Sequence, residues 1–216
     1  MNHTPPRALL LDMDGTLADS LGIMRLVFAR LMAELGLPDT DQAFDSLNGP
    51  PLWQCAKILV ARHGLGLEAA AIHRRWLDIL DEEYPNVRAM DGARELLDEA
   101  HARHWRCCLV TSAGRAMARE WLARSGLAPL VPLVVGGDDV ARGKPHPDPY
   151  LAGLALTGAA AGDSLAVEDS PAGAMAALAA SIPTCLVGSH QPLPDGARRL
   201  ASLAEVRDLL VSRSQP

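Results

Sequence analysis

Five short apolar runs, at residues 8–11, 107–110, 133–135, 165–167 and 184–187, constrain the fold more than any other feature of this 216-residue chain. Each is bounded by Gly, Asp or Pro and is too short for a helix, so each reads as a buried strand. Segments with helical periodicity separate them, at 92–104, 115–125, 149–156 and 172–180, and a last one at 206–212 closes the chain. Strands alternating with helices imply a parallel sheet covered on both faces, hence a doubly wound, five-stranded, Rossmann-like α/β core.

One stretch breaks the alternation. Between Ser20 and Arg88, four helical segments at 21–35, 41–47, 52–63 and 68–84 follow one another with no strand between them. The first ends at Gly36-Leu37-Pro38, a helix-stop signal. The expected organisation is therefore a core of residues 1–19 and 89–216, with an all-helical second domain of residues 20–88 inserted after the first strand and hinged near Ser20 and near residues 87–90.

In a parallel sheet, ligands bind beyond the carboxyl ends of the strands, and here the strand ends carry polar chemistry. The first strand runs into Asp12-Met13-Asp14-Gly15-Thr16, which sets two acids two residues apart on one side of an extended chain. The second ends in Thr111-Ser112-Ala113-Gly114, offering a hydroxyl and backbone N–H groups to an anion. Gly143-Lys144-Pro145 follows the third strand, and the fourth ends in Glu168-Asp169-Ser170-Pro171. Any one of these is an ordinary strand end; together they describe a site.

The bulk properties narrow the partners. A formal net charge of −6 and only eight Phe, Tyr and Trp residues argue against a phosphate-backbone or base-stacking surface, so nucleic acid is not expected. No apolar run approaches the length of a membrane span, and the first residues lack the pattern of a secretory signal, so a cytoplasmic protein is expected. Four cysteines without Cys-x-x-Cys spacing read as reduced, buried thiols. The basic residues comprise eighteen Arg and two Lys, Lys57 and Lys144, which singles out each lysine. A monomer or weak homodimer is expected.

The chain resembles the haloacid dehalogenase-like superfamily. Its four motifs stand in order as Leu11-Asp12-Met13-Asp14-Gly15-Thr16, Val110-Thr111-Ser112, Gly143-Lys144-Pro145 and Val167-Glu168-Asp169-Ser170, and the helical insertion matches the cap of the branch containing phosphoglycolate phosphatase and β-phosphoglucomutase. The resemblance implies that Asp12 is a nucleophile forming an aspartyl phosphate, with Asp14 as acid/base and Thr111, Ser112 and Thr16 at the phosphoryl group. It implies that Lys144 bridges phosphate and Asp12. It also implies a Mg2+ ion on Asp12, the Asp14 backbone carbonyl and Asp169, with Glu168 as a further ligand or just behind; an octahedral all-oxygen set suits that ion, and no His or Cys stands in these motifs to favour zinc.

Hydrolysis of a small phosphate ester, a sugar phosphate in particular, is the implied reaction. Dehalogenases of the superfamily lack the second acid that Asp14 supplies, and Lys57 is the one candidate for the Schiff-base lysine of its phosphonate hydrolases. The mutases place a His on the first cap helix, where this chain has Met24 and Arg25, although Glu168-Asp169 is a form that mutases share. A mutase is thus the alternative, and a non-catalytic binding member of the fold a more distant one. Specificity is expected from the insertion: Asn48 and Gly49 in Leu47-Asn48-Gly49-Pro50-Pro51, and Arg25 as a reader of hydroxyls or a carboxylate. One departure concerns stability. Ser181 follows the helix after the fourth motif where a Gly is usual.

Overall fold

The computed structural model describes residues 6–47, 52–188 and 192–212. The chain divides into two compact units, one of residues 1–19 and 88–216 and one of residues 20–87.

The first unit is built on a parallel sheet of β1 (Arg7–Leu11), β2 (Trp105–Val110), β3 (Leu133–Val135), β4 (Ser164–Glu168), β5 (Thr184–Val187) and β6 (Arg198–Leu200), in the order β3-β2-β1-β4-β5-β6. The sheet thus has six strands rather than the expected five. β6 escaped the sequence reading because Arg-Arg-Leu is no apolar run: it is a three-residue edge strand, and charged side chains suit an edge that must not recruit another strand. β1 lies between β2 and β4, with Leu11 paired to Leu109 on one side and to Val167 on the other, so the acids after β1 emerge between two other strand ends.

Both faces of the sheet are buried. Ala8, Leu10, Cys108 and Val110 join Tyr150, Ala176 and Ala177 in one cluster, under α7 (Asp148–Thr157) and α8 (Pro171–Ala179). Leu9, Leu11, Cys107 and Leu109, of opposite parity, are buried as fully. On this side α5 (Ala93–Ala102) packs on β2 and against α9 (Leu203–Ser212), while α6 (Arg115–Arg124) packs on β3. Small residues let the helices lie close to the strands: a methyl group on Gly153 of α7 would stand 2.7 Å from a Leu10 methyl and 3.2 Å from one of Val110. α8 begins where the Ser170 hydroxyl accepts the Gly173 N–H at 3.2 Å, with Pro171 at its first position.

The second unit is all helical, with α1 (Leu21–Leu35), α2 (Asp41–Leu47), α3 (Leu52–His63) and α4 (Ala69–Glu83). α4 packs against both α1 and α3. Its core centres on Phe28, whose ring meets Phe44 edge-on at 5.5 Å and Trp76 at 6.4 Å, among Leu31, Leu59, Ile72 and Ile79. Arg30 pairs with Glu82 at 2.7 Å and with Glu83, and Arg75 with Glu34 at 2.6 Å, which ties α1 to α4 on the outside.

Ser181 occupies the left-handed region at φ +61°, where its N–H reaches the Leu178 carbonyl and the next N–H reaches Ala177. An L side chain there costs about 1 kcal/mol relative to Gly, partly offset by the greater freedom Gly has when unfolded. Ser181→Gly is expected to raise the thermal midpoint by a few degrees, as read by differential scanning calorimetry, without altering activity.

Candidate active site

The carboxyl ends of β1, β2 and β4 meet around one ammonium group. Asp12 continues the line of β1, its N–H donating to the Val167 carbonyl at 3.0 Å, and it is 7% exposed. Lys144 comes from the loop between β3 and α7 with its side chain 6% exposed. Its Nζ donates to Asp12 Oδ1 at 2.6 Å, to the Val110 carbonyl at 3.0 Å and to Glu168 Oε1. Three N–H groups meet three acceptors of the protein, one of them on Asp12.

Glu168, at the end of β4, is fully buried. Oε1 takes both the Lys144 ammonium and the Tyr150 hydroxyl, while Oε2 lies 3.4 Å from the Ser170 hydroxyl. Its carboxylate fills the space over Gly173, so closely that any Cβ at that position would collide with it. Asp169, the next residue, lies against Gly15 in the same way: a side chain on Gly15 would overlap the Asp169 carboxylate, and Gly15 is also at φ +77°. Gly15 therefore serves both the turn after β1 and the approach of β4's acid.

The remaining predicted residues fall in several places. Asp14 is half-buried in the turn that Gly15 and Ala18 close, and its charge reaches Asp169. Thr16 is fully buried, and its hydroxyl has no partner among the described residues. Thr111 is buried directly after Val110, and its hydroxyl accepts the Ala113 N–H at 3.0 Å; Ser112 is exposed beyond it. The anion-binding capacity of this loop is narrower than its sequence suggests, because the Arg115 N–H in the first turn of α6 already donates to Asp138 at 2.8 Å. Arg25 lies in the helical unit, paired with Asp39 at 2.6 Å and Asp41 at 3.2 Å and set over the rings of Phe28 and Phe44, so its charge is matched within that unit. Asn48 and Gly49 lie outside the described residues. Lys57 stands 4.7 Å over the exposed Trp53 ring.

Sequence reasoning missed Tyr150 and Gly173. Tyr150 is one of two tyrosines in the chain and follows the Lys144 motif at the start of a helix, a weak signal. Gly173 is a glycine inside a helical pattern, which often marks a close approach.

Carboxylate oxygens of Asp12, Glu168 and Asp169 all lie within 4.8 Å of one another. With Asp14 near by and Lys144 the one cation among them, negative charge is in excess. Burial, then Asp12 and Glu168, pushes the Asp169 carboxyl up to about 8. Burial lifts Glu168 to about 7 against the pull of Lys144. Burial opposes the charge on Lys144, but Asp12 and Glu168 outweigh it and raise its pKa. The Tyr150 hydroxyl stays protonated far above its usual range through burial and the nearby carboxylates. An all-oxygen, acid-rich, partly buried group of this kind fits a hard divalent cation.

A stability test follows from these shifts. Asp169 and Glu168 bind protons more tightly folded than unfolded, so the unfolded state ionises first as pH rises. With chelator present, these two groups lower the stability progressively between about pH 4 and pH 8. A divalent cation binds the ionised form and is expected to reverse that trend, with its thermal-midpoint gain larger at pH 8 than at pH 5.5. An equal gain at both would contradict this assignment.

Known proteins resemble this chain over most of its length. The profile described as haloacid dehalogenase-like hydrolase matches residues 9–187. The chain is 32% identical over 216 residues to a plasmid-borne phosphoglycolate phosphatase of Cupriavidus necator, covering 95% of this chain and 90% of the relative. Hexitol phosphatase A of Escherichia coli is 31% identical over 189 residues, covering 87% and 86%. Among solved structures, a Thermotoga maritima protein provisionally named a β-phosphoglucomutase superposes with a TM-score of 0.77 at 25% identity, over 95% of this chain and 99% of that one. With the profile spanning most of the sequence and the strand-end acids gathered around one lysine, the chain belongs to the haloacid dehalogenase-like hydrolases.

Proposed function

We propose that the protein is a Mg2+-dependent phosphatase that hydrolyses a small phosphorylated metabolite, a sugar phosphate, through an aspartyl-phosphate intermediate on Asp12. The observation that carries this reading is the buried Lys144–Asp12 pair, set among acids at the carboxyl edge of the sheet. The relatives named as phosphatases support it.

Asp12 attacks phosphorus, and Lys144 holds its carboxylate in place through Oδ1. Asp14 gives a proton to the departing oxygen and later takes one from the water that attacks the phosphoryl-aspartate. Thr111 accepts a hydrogen bond from Ala113 with its oxygen, which leaves its own proton to donate to a phosphoryl oxygen. Asp12 and Asp169, with the Asp14 carbonyl, would hold the cation, while Glu168 is committed to Lys144 and Tyr150 and stands behind them. A bound Mg2+ would supply the positive charge that tempers the repulsion between these acids and a phosphate dianion. The helical unit of residues 20–87 is the cap, which excludes water and carries the substrate-reading groups.

The mutase alternative has a structural neighbour in its favour, but no His lies on α1, which offers Met24 and Arg25 in that region. Incubation with β-glucose 1-phosphate and a bisphosphate activator separates the two: a phosphatase releases inorganic phosphate, whereas a mutase yields mainly glucose 6-phosphate.

Hydrolysis of p-nitrophenyl phosphate is expected to stop on addition of EDTA, to return with Mg2+, and to fall to background in Asp12→Asn with the circular dichroism spectrum unchanged. Sustained turnover by Asp12→Asn would overturn the mechanism.

A further inference from the structure

The Tyr150 side chain is fully buried in a cluster that is otherwise apolar, yet it carries a hydroxyl where phenylalanine would fill the same space. A buried hydroxyl is costly without a partner. Its partner is Glu168 Oε1, the same oxygen that pairs with Lys144, and the Lys144 ammonium lies 5.6 Å from the Tyr150 ring centroid. We propose that Tyr150 is a positioning residue of the phosphoryl-transfer site, holding Glu168 so that Lys144 is aimed at Asp12. This rests on the reading of Asp12 as nucleophile.

A lysine side chain is a point charge on a flexible four-carbon stem, so its aim depends on what fixes its far side. The Val110 carbonyl fixes one direction and Glu168 another. Glu168 in turn has few restraints: a 3.4 Å contact with Ser170, the steric floor of Gly173, and the Tyr150 hydroxyl. Removal of that hydroxyl leaves Oε1 to the ammonium alone and frees the carboxylate to turn, drawing Lys144 away from Asp12. Delivery of the hydroxyl is a property of α7. Gly153, one turn beyond Tyr150, lets the helix approach Leu10 and Val110, which brings the tyrosine beneath the ends of β1 and β4.

The test is Tyr150→Phe, assayed with p-nitrophenyl phosphate and Mg2+. Loss of a hydrogen bond to a charged group predicts a kcat about tenfold to a hundredfold lower with KM within about twofold. Inhibition by orthovanadate, which mimics the transferring phosphoryl group, weakens by the same factor as kcat, whereas inhibition by inorganic phosphate does not. Because Tyr150 acts through Glu168, the same substitution made on top of Glu168→Gln lowers kcat little further. Unchanged kcat, or factors that multiply in the double variant, overturns the proposal.

Should Tyr150→Phe not fold, 3-fluorotyrosine incorporated in the wild-type protein gives two 19F resonances, assigned with Tyr84→Phe. The Tyr150 signal is expected to shift on addition of orthovanadate with Mg2+; a signal that stays in place overturns the proposal. Asp12→Asn separates the two levels: its continued turnover sinks the functional reading itself, while an inactive Asp12→Asn beside a fully active Tyr150→Phe sinks only the role of Tyr150.

Discussion

Lys144 brings a full positive charge to a place where 6% of its side chain meets solvent, and the rest of the site is arranged to make that tolerable. Burying an ammonium costs several kcal/mol unless charge and hydrogen bonds replace the lost water. Here Asp12, Glu168 and the Val110 carbonyl provide both. The requirement propagates outward. Glu168 must sit over a residue without a side chain, which places Gly173 in the first turn of α8, and Asp169 must have room beside Gly15. The strand order β2-β1-β4 satisfies all of this at once, because three neighbouring strand ends carry the acceptors and the two acids.

Such a cluster does little for stability. An ion pair in the interior barely breaks even against apolar packing, and the surplus acids around it repel one another. Asp169 and Glu168 are held above the ordinary carboxylate range by burial first and by the neighbouring acids after it. The same surplus is what a divalent cation and a phosphate dianion can use together. In the proposed mechanism an acidic protein would meet a phosphate through a cation held by these acids, instead of through a basic surface. The helical unit follows a different rule: Arg25, Arg30 and Arg75 are matched by acids of that unit.

Much of this was legible in the sequence because the strand-end residues are local signals. Asp12 and Asp14 after β1, Thr111 after β2, Lys144 after β3 and Glu168-Asp169 after β4 each sit where a short apolar run stops. The helices also follow from periodicity, and all five expected strands from the short apolar runs. β6 was not legible because edge strands need not be apolar, and Arg198 and Arg199 conceal it. Tyr150 and Gly173 were not legible because their roles exist only once α7 and α8 lie on the sheet; nothing near them in the chain reveals what they touch. Arg25 read as a candidate ligand for the opposite reason, since its partners Asp39 and Asp41 lie more than a dozen residues away.

The central claim is that Asp12 carries the phosphoryl group. Rapid acid quench during turnover, followed by borohydride reduction and peptide mass spectrometry, tests it most directly, since an acyl phosphate is reduced to an alcohol and a free carboxylate is not. Homoserine is expected in place of aspartate at position 12. Reduction at another acid, or none while substrate is being consumed, would contradict it.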